Sequence, residues 1–246
     1  MDGNRGVSDL WDSTLICREL VAEDTVACTL RRPSGFQFAA GQYVELTLPS
    51  PAFTDALGPM RAMSIASAPS DDDLVLLMRI RDTAFKRSIM TLSPGATLIL
   101  EGPVDDLTFD MRSDAPIVLL AGGVGIAPFR SVLREAAASR CVMDGAVFYS
   151  NRRPEDAAYL AELSSLSADL GLRFVPTMTR MSDTKLPWAG ERARLGAAMI
   201  HRHIDPIRRP RYYVSGSTLF VSGLCYELEE AGAPARDIRV EMYAGY

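Results

Sequence analysis

The periodicity of the chain changes once, near residue 112, and that change decides what the chain can fold into. Before it, apolar residues alternate with polar or small ones over short runs: Val26, Cys28 and Leu30; Val44, Leu46 and Leu48; Leu74, Leu76, Met78 and Ile80; Leu98 and Leu100. Period two with one apolar face marks antiparallel strands. Glycine and proline separate the runs, at Pro33-Ser-Gly35, Gly41, Pro49-Ser-Pro51, Gly58-Pro59, Pro94-Gly95 and Gly102-Pro103. About six strands in roughly a hundred residues predict a small barrel, interrupted by one helix over Ala84 to Leu92. After residue 112, strands alternate with helices. Strands are expected over Pro116–Ala121, Gly145–Ser150, Leu172–Met178, Arg211–Ser215 and Arg236–Met242. Helices are expected from Pro128 and over Glu155–Leu170, Glu191–Ile204 and Thr218–Ala231. An unbroken apolar run such as Pro116 to Ala121 suits a parallel strand covered on both faces. The expected architecture has two domains: an N-terminal antiparallel Greek-key β-barrel, then a C-terminal doubly wound α/β domain with a five-stranded parallel sheet. Residues 1–13 read as a flexible tail, 14–112 as the barrel and 113–246 as the α/β domain, with the linker near Asp110 to Asp114.

Composition excludes several function classes. Hydrophobic residues make up 48 % of the 246 and charged residues 23 %, enough to bury a core. A net charge of −5 gives no basic footprint for nucleic acid. The four cysteines, Cys17, Cys28, Cys141 and Cys225, include no C-x-x-C pair, so neither an iron–sulfur cluster nor a structural zinc is expected. They read as buried or incidental thiols in apolar contexts, suited to a reducing cytoplasm. His201 and His203, beside Arg202, read as surface helix residues rather than a metal pair. The N-terminal segment lacks the basic and apolar blocks of a secretory signal. The longest apolar run, Ala115 to Phe129, is too short and glycine-rich to span a bilayer.

Two segments carry chemistry. In Leu119 to Phe129 an apolar strand runs into Gly122, Gly123, Val124, Gly125 and Ile126, and Pro128 opens a helix. Glycines let a diphosphate approach the backbone, and the helix start offers free N–H groups. Alone, this is equally a tight strand–helix turn, and proline stands where the third glycine of G-x-G-x-x-G would be. In Arg61-Ala-Met-Ser-Ile-Ala-Ser67, an arginine on a barrel strand can hold a phosphate bidentately, and Ser64 can hydrogen-bond a flat ring. Alone, this is an ordinary strand with one exposed arginine.

Together and in this order, the two segments resemble the ferredoxin–NADP⁺ reductase superfamily. That family carries R-x-Y-S on a flavin barrel, a glycine-rich G-x-G-I-A-P-F loop on the next domain and an acidic–x–aromatic motif near its end. The counterparts here are Arg61 and Ser64, Gly122 to Phe129, and Glu241-Met-Tyr243. Gly41-Gln-Tyr-Val44, Glu101-Gly-Pro103 and Tyr149-Ser-Asn-Arg152 are further matches, and Trp188-Ala-Gly-Glu191 with the ending Glu241 to Tyr246 resembles its standalone bacterial branch. Three positions depart from the family: Met63 replaces its tyrosine, Thr83-Ala-Phe-Lys86 its G-x-x-S turn, and Ser215-Gly-Ser217 its C-G-P loop.

The resemblance implies an FAD-dependent NAD(P)H oxidoreductase, with FAD expected over FMN. Arg61, Met63, Ser64, Ile65, Thr83, Lys86, Arg87, Ser88 and Tyr246 would hold the flavin. Gly122, Gly123, Val124, Gly125, Ile126, Pro128, Ser150, Arg152, Arg153, Tyr159 and Gly216 would hold NADPH or NADH, the arginines leaning toward NADPH. Ser64, Ser215, Glu241 and Tyr243 would form the catalytic centre, with either Tyr243 or Tyr246 stacked on the flavin. With no cysteine cluster and no length for a haem globin, electrons would pass to a separate acceptor such as a ferredoxin, a flavodoxin or an oxygenase component. Two alternatives stay open: a reductase of free flavin, and a non-catalytic flavin-binding subunit.

Overall fold

The computed structural model describes residues 9–105, 107, 109 and 115–243. Its first half holds β1 (Leu10–Ala22), β2 (Thr25–Leu30), β3 (Tyr43–Thr47), β4 (Met60–Ser64), β5 (Leu74–Arg79), α1 (Ala84–Thr91) and β6 (Thr97–Val104). The strands form one antiparallel sheet in the order β4-β3-β6-β1-β2-β5. Its two edges meet where Ile65 pairs with Leu76 and the Ala66 N–H donates to Val75 O at 2.7 Å. Closure leaves no long unpaired edge. The alternating residues of the sequence turn inward: Cys28, Leu30, Val44, Leu46, Leu74, Leu76, Leu98 and Leu100 share one core with Phe85 and Ile89 of α1. Burial pushes the Cys28 thiol up to about 12, which makes it inert. Cys17, by contrast, is exposed.

β1 starts at Leu10, so residues 10–13, expected in the tail, belong to the sheet and pair with β6. The anchors are Trp11, edge-on to Phe36 at 5.5 Å with Nε1 donating to Gly102 O, and Ser13, whose Oγ donates to Arg31 O at 2.7 Å. The expected linker, residues 110–114, lies outside the described residues.

The second half holds β7 (Ile117–Gly122), α2 (Ile126–Ala138), β8 (Gly145–Asn151), α3 (Leu160–Asp169), β9 (Arg173–Met178), α4 (Ala197–His203), β10 (Arg211–Ser217), α5 (Thr218–Glu230) and β11 (Ile238–Tyr243). All neighbouring strands are parallel, in the order β11-β10-β7-β8-β9. One face of the sheet, with Leu119, Val147 and Tyr213, packs on Phe129 and Leu133 of α2 and Leu163 of α3. The other, with Val118, Phe148 and Val214, packs on α4 and α5. Burial on both faces explains the continuous apolar runs. The strand order reverses between β7 and β10, and the carboxyl ends there form the crevice where ligands bind in such sheets.

Three helices start elsewhere than their periodicity predicts. A 3₁₀ turn over Gly123–Gly125 leads into α2, which therefore begins at Ile126, with Pro128 inside its first turn where no N–H is needed. The stretch from Glu155 breaks into a 3₁₀ turn over Pro154–Asp156 and α3, because Tyr159 adopts φ +58°. The stretch from Glu191 stays non-helical until Gly196, because Glu191 pairs with Thr177 and its carbonyl accepts from the Met178 N–H.

Two clasps join the halves. Arg130, nearly buried, donates to Ala66 O at 2.8 Å and grips Glu162 bidentately at 2.9 Å, while Arg134 bridges Glu162 and Asp71. On the other side the Glu23 N–H donates to Glu155 O, Arg79 pairs with Asp156 at 3.4 Å, and Arg153 pairs with Glu23 at 3.0 Å. Among the described residues no helix is long and apolar enough to cross a membrane.

Candidate active site

The clasps set the carboxyl ends of β10 and β11 against β4. Ser64 ends β4, Ser215 lies on β10, and Glu241 and Tyr243 lie on β11. Ser64 (2 % exposed), Ser215 (0 %) and Glu241 (3 %) are buried together. Ser64 Oγ donates to Glu241 Oε1 at 2.6 Å, and Ser215 Oγ donates to Oε2 at 3.0 Å. The Tyr243 hydroxyl donates to Oε2 at 3.0 Å and lies 2.5 Å from Ser64 Oγ and 3.3 Å from Ser215 Oγ. Three hydroxyl protons thus serve five close contacts. Protons can be redistributed among these oxygens with little heavy-atom motion, which is what proton delivery to a reacting group needs.

Two clefts adjoin at this cluster. One, of about 390 Å³, runs along the barrel and is lined by Arg61, Met63, Ser64, Thr83 and Lys86. The other, of about 420 Å³, lies over the carboxyl ends of the parallel strands and is lined by Gly122, Gly123, Val124, Ser150 and Arg152. Arg79 and Tyr243 line both.

Both clefts are set for anions. Arg61 donates through Nη1 to the carbonyls of Leu57, Gly58 and Met60, stacks 5.1 Å over Phe85, and keeps a buried Nη2 with no hydrogen bond. Burial, then the charges of Arg81, Arg61 and Arg79, pushes the Lys86 ammonium down to about 8. Burial, then Arg180, Arg79 and Arg81, likewise lowers Arg152. Cations crowded enough to depress one another are relieved by phosphate, so the residues present fit two diphosphate-bearing ligands.

Several expected contacts point elsewhere. Ile65 is wholly inside the barrel core. Ser88 is buried and bonds both backbone groups of Phe53. Arg87 stacks on Phe53 at 4.5 Å and pairs with Asp82. Arg153 is held by Asp156 and Glu23, and Tyr159 lies under the Arg130 guanidinium at 4.0 Å. Ile126 and Pro128 are buried beneath the nucleotide cleft, and Gly216 is backed by the Phe220 ring, so these shape the floor rather than line it. Tyr246 lies outside the described residues.

Gly125 has a packing role of its own. A Cβ there would lie 2.2 Å from Ser215 O, so only glycine lets α2 approach β10. Gly125→Ala is expected to cost about 3 kcal/mol by overpacking, read from urea unfolding, and to displace Ser215.

Sequence reasoning missed Arg79, Arg81, Thr179 and Phe220, all on the nucleotide cleft. A signal existed for the arginines. They alternate with Met78 and Ile80 at and just beyond the end of β5, on the face opposite those two.

Residues 119–225 match the family model of the oxidoreductase NAD-binding domain. Ferredoxin–NADP reductase B of Sorangium cellulosum is 33 % identical over 221 residues, which cover 85 % of this chain and 86 % of that protein. The glycine betaine monooxygenase reductase subunit of Chromohalobacter salexigens is 25 % identical over 96 % of this chain but only 65 % of its own length. The flavohaem-like FAD/NAD-binding domain of the Vibrio cholerae nitric oxide dioxygenase superposes with a TM-score of 0.82 at 16 % identity, covering 96 % of this chain and 99 % of that domain. With its two sheets, its ordered motifs and a relative this similar over most of both chains, the protein belongs to the ferredoxin–NADP⁺ reductase family.

Proposed function

We propose that the protein is an FAD-dependent NAD(P)H oxidoreductase: it accepts hydride from NADPH, or more weakly NADH, and passes electrons to a separate redox acceptor. One observation carries the reading. The cluster of buried Ser64, Ser215 and Glu241 with half-buried Tyr243 stands where the barrel cleft meets the nucleotide cleft. The barrel is then the flavin domain and the parallel sheet the nucleotide domain. The names of the relatives, a ferredoxin–NADP reductase and a monooxygenase reductase subunit, support an acceptor that is a ferredoxin or an oxygenase component. The cytoplasm suits its four free thiols.

FAD, when bound, supplies the hydride-accepting and electron-passing chemistry. The chain supplies position and protons. Arg61, Arg79 and Lys86 neutralise phosphates along the barrel cleft. Ser64 Oγ, fixed by Glu241 Oε1, holds a proton at the inner end of that cleft. The Tyr243 ring stands between the clefts, keeps water from the cluster, and moves aside when the nicotinamide enters. Ser150 and Arg152 face the second cleft with Arg79 and Arg81 near, a cationic setting suited to a 2′-phosphate.

The test is anaerobic mixing of the FAD-loaded protein with NADPH or NADH in a stopped-flow spectrometer. Rapid bleaching of the flavin band, faster with NADPH, is the expected result. A bound flavin that neither coenzyme bleaches would overturn the reading in favour of a non-catalytic subunit. Turnover of added flavin without retained flavin would make it a free-flavin reductase. Arg152→Ala should raise the NADPH KM by roughly 10- to 100-fold and leave that for NADH nearly unchanged, the loss of one charge-assisted phosphate contact.

Lys86 makes flavin binding pH-dependent. Its folded value of about 8 lies below the ordinary lysine value of 10.5, so the charged form is disfavoured in the ligand-free fold. Stability of the ligand-free protein should therefore rise as pH climbs from 8 toward 10.5. A diphosphate reverses the shift, so FAD binding takes up protons in that window and weakens as pH rises through it. Calorimetry in buffers of different ionisation heat should show this uptake, and Lys86→Met should abolish it.

A further inference from the structure

The connection between β3 and β4 does something that the flavin assignment leaves unexplained. Its Asp55 carboxylate rests on the groups assigned to the flavin phosphates. Asp55 Oδ2 accepts from the Ala84 N–H, at the first residue of α1, at 3.2 Å. Asp55 Oδ1 lies 3.8 Å from Arg61 Nη2 and accepts from the Leu57 N–H at 2.9 Å. Arg61 meanwhile ties the loop down through the carbonyls of Leu57, Gly58 and Met60.

Upstream the loop is fixed to α1 at Phe53, whose backbone N–H and carbonyl both bond Ser88 Oγ and whose ring lies under Arg87, but its tip around Leu57 and Gly58 is packed lightly. Leu57 and Met60 are exposed apolar residues, and Gly58, at φ +71°, has nothing within 4 Å of where a Cβ would stand. The attachment of the tip is therefore mainly polar, made through the cation and helix start that a phosphate would use. Both Leu57 and Arg61 line the barrel cleft, so the loop borders the volume the flavin would enter.

We propose that Asp55 is a built-in competitor for the flavin phosphate: carboxylate and phosphate exclude each other, and Asp55, with the loop tip it belongs to, lets go of Arg61 and the Ala84 N–H when a phosphorylated flavin binds. The inference rests on the assignment of the barrel cleft to flavin. Two like charges cannot share one arginine fork and one helix start at these distances without repulsion. Binding of FAD or FMN must therefore displace Asp55, and their affinity is lowered by whatever Asp55 gains from its contacts. Riboflavin has no phosphate and is not subject to this competition. The flavin is held as an exchangeable ligand.

The experiment is fluorescence titration of the unaltered protein, Asp55→Asn and Asp55→Ala with FAD, FMN and riboflavin. The expected result is an FAD and FMN Kd about tenfold lower in both variants, with riboflavin unchanged; tenfold corresponds to about 1.4 kcal/mol. Melting temperatures separate this from damage to the fold. Without ligand the variants should melt lower than the unaltered protein, since Arg61 and α1 lose their anion. With saturating FAD the shift on binding should be larger, a combination that misfolding does not produce. An FAD Kd unchanged or raised in both variants would overturn the inference while leaving the flavin assignment intact, as would riboflavin tightening as much as FAD. Binding of no flavin by any of the three proteins would overturn both.

Discussion

Replacing Glu241 with alanine is expected to slow reduction of bound FAD by NADPH by about 10²- to 10⁴-fold, the usual range for a positioned acid–base group. The protein should still fold and still hold FAD. Glu241 is the only carboxylate among the four clustered residues, and its two oxygens receive hydrogen bonds from Ser64, Ser215 and Tyr243. Removing it leaves the 2.5 Å and 3.3 Å contacts through Tyr243 but takes away the carboxylate that accepts from all three hydroxyls. Ser64 then loses the partner that orients its proton. Glu241→Gln discriminates between roles. It preserves shape but gives one hydroxyl an N–H where it had an acceptor, so Ser64 or Ser215 must rotate. If Glu241 holds a proton, Glu241→Gln should be nearly as slow as Glu241→Ala in single-turnover reduction, with an altered pH profile. If Glu241 merely positions the strands, Glu241→Gln should recover most of the rate. The coenzyme KM is a second readout. A loss confined to the rate assigns the cluster to the transition state, whereas a rise in KM alone assigns it to ground-state binding.

The four clustered residues were singled out by the family resemblance, through motifs that each sit on a strand. Ser64 follows Arg61 by three, Ser215 ends an apolar strand, and Glu241 and Tyr243 share one face of the last strand at period two. Strand periodicity also located the barrel core and the parallel sheet, since burial on one face or two writes itself into the apolar pattern. Charged residues carried a weaker signal. Arg152 and Arg153 are adjacent and chemically alike, yet one faces the nucleotide cleft. The other is captured by Asp156 and by Glu23, a partner 130 residues away. Arg79 and Arg81 showed only as the polar alternates of Met78 and Ile80, and the place of Arg79 is set by Asp156 and the two clefts around it. Helix boundaries failed for a related reason. The left-handed Tyr159 and the bridge at Glu191 are tertiary choices that override a helical pattern.

Arg61→Ala is expected to weaken FAD binding by about 100-fold, and the size follows from what the guanidinium does. Hydrogen bonds to a charged group are worth about 1.5–3 kcal/mol each, and a bidentate fork on phosphate makes two. Part of this is offset by freeing Asp55 and the loop carbonyls that Arg61 now holds, so the net falls short of two full contacts. Arg61→Lys retains charge without the fork and should recover only part of the loss. Arg79→Ala makes the informative contrast. Arg79 lines both clefts, so its loss should weaken FAD and raise the NADPH KM together, whereas Arg61→Ala should leave the KM of the FAD-saturated protein unchanged. The double variant Arg61→Ala with Asp55→Ala sharpens the point. If Asp55 acts only by competing for what Arg61 and α1 offer, removing Asp55 should improve FAD binding less when Arg61 is already alanine. Equilibrium titration of the four proteins gives that coupling directly. Full additivity would mean that Asp55 and Arg61 act on the flavin independently, and an FAD Kd in Arg61→Ala equal to that of the unaltered protein would remove the arginine from the flavin site altogether.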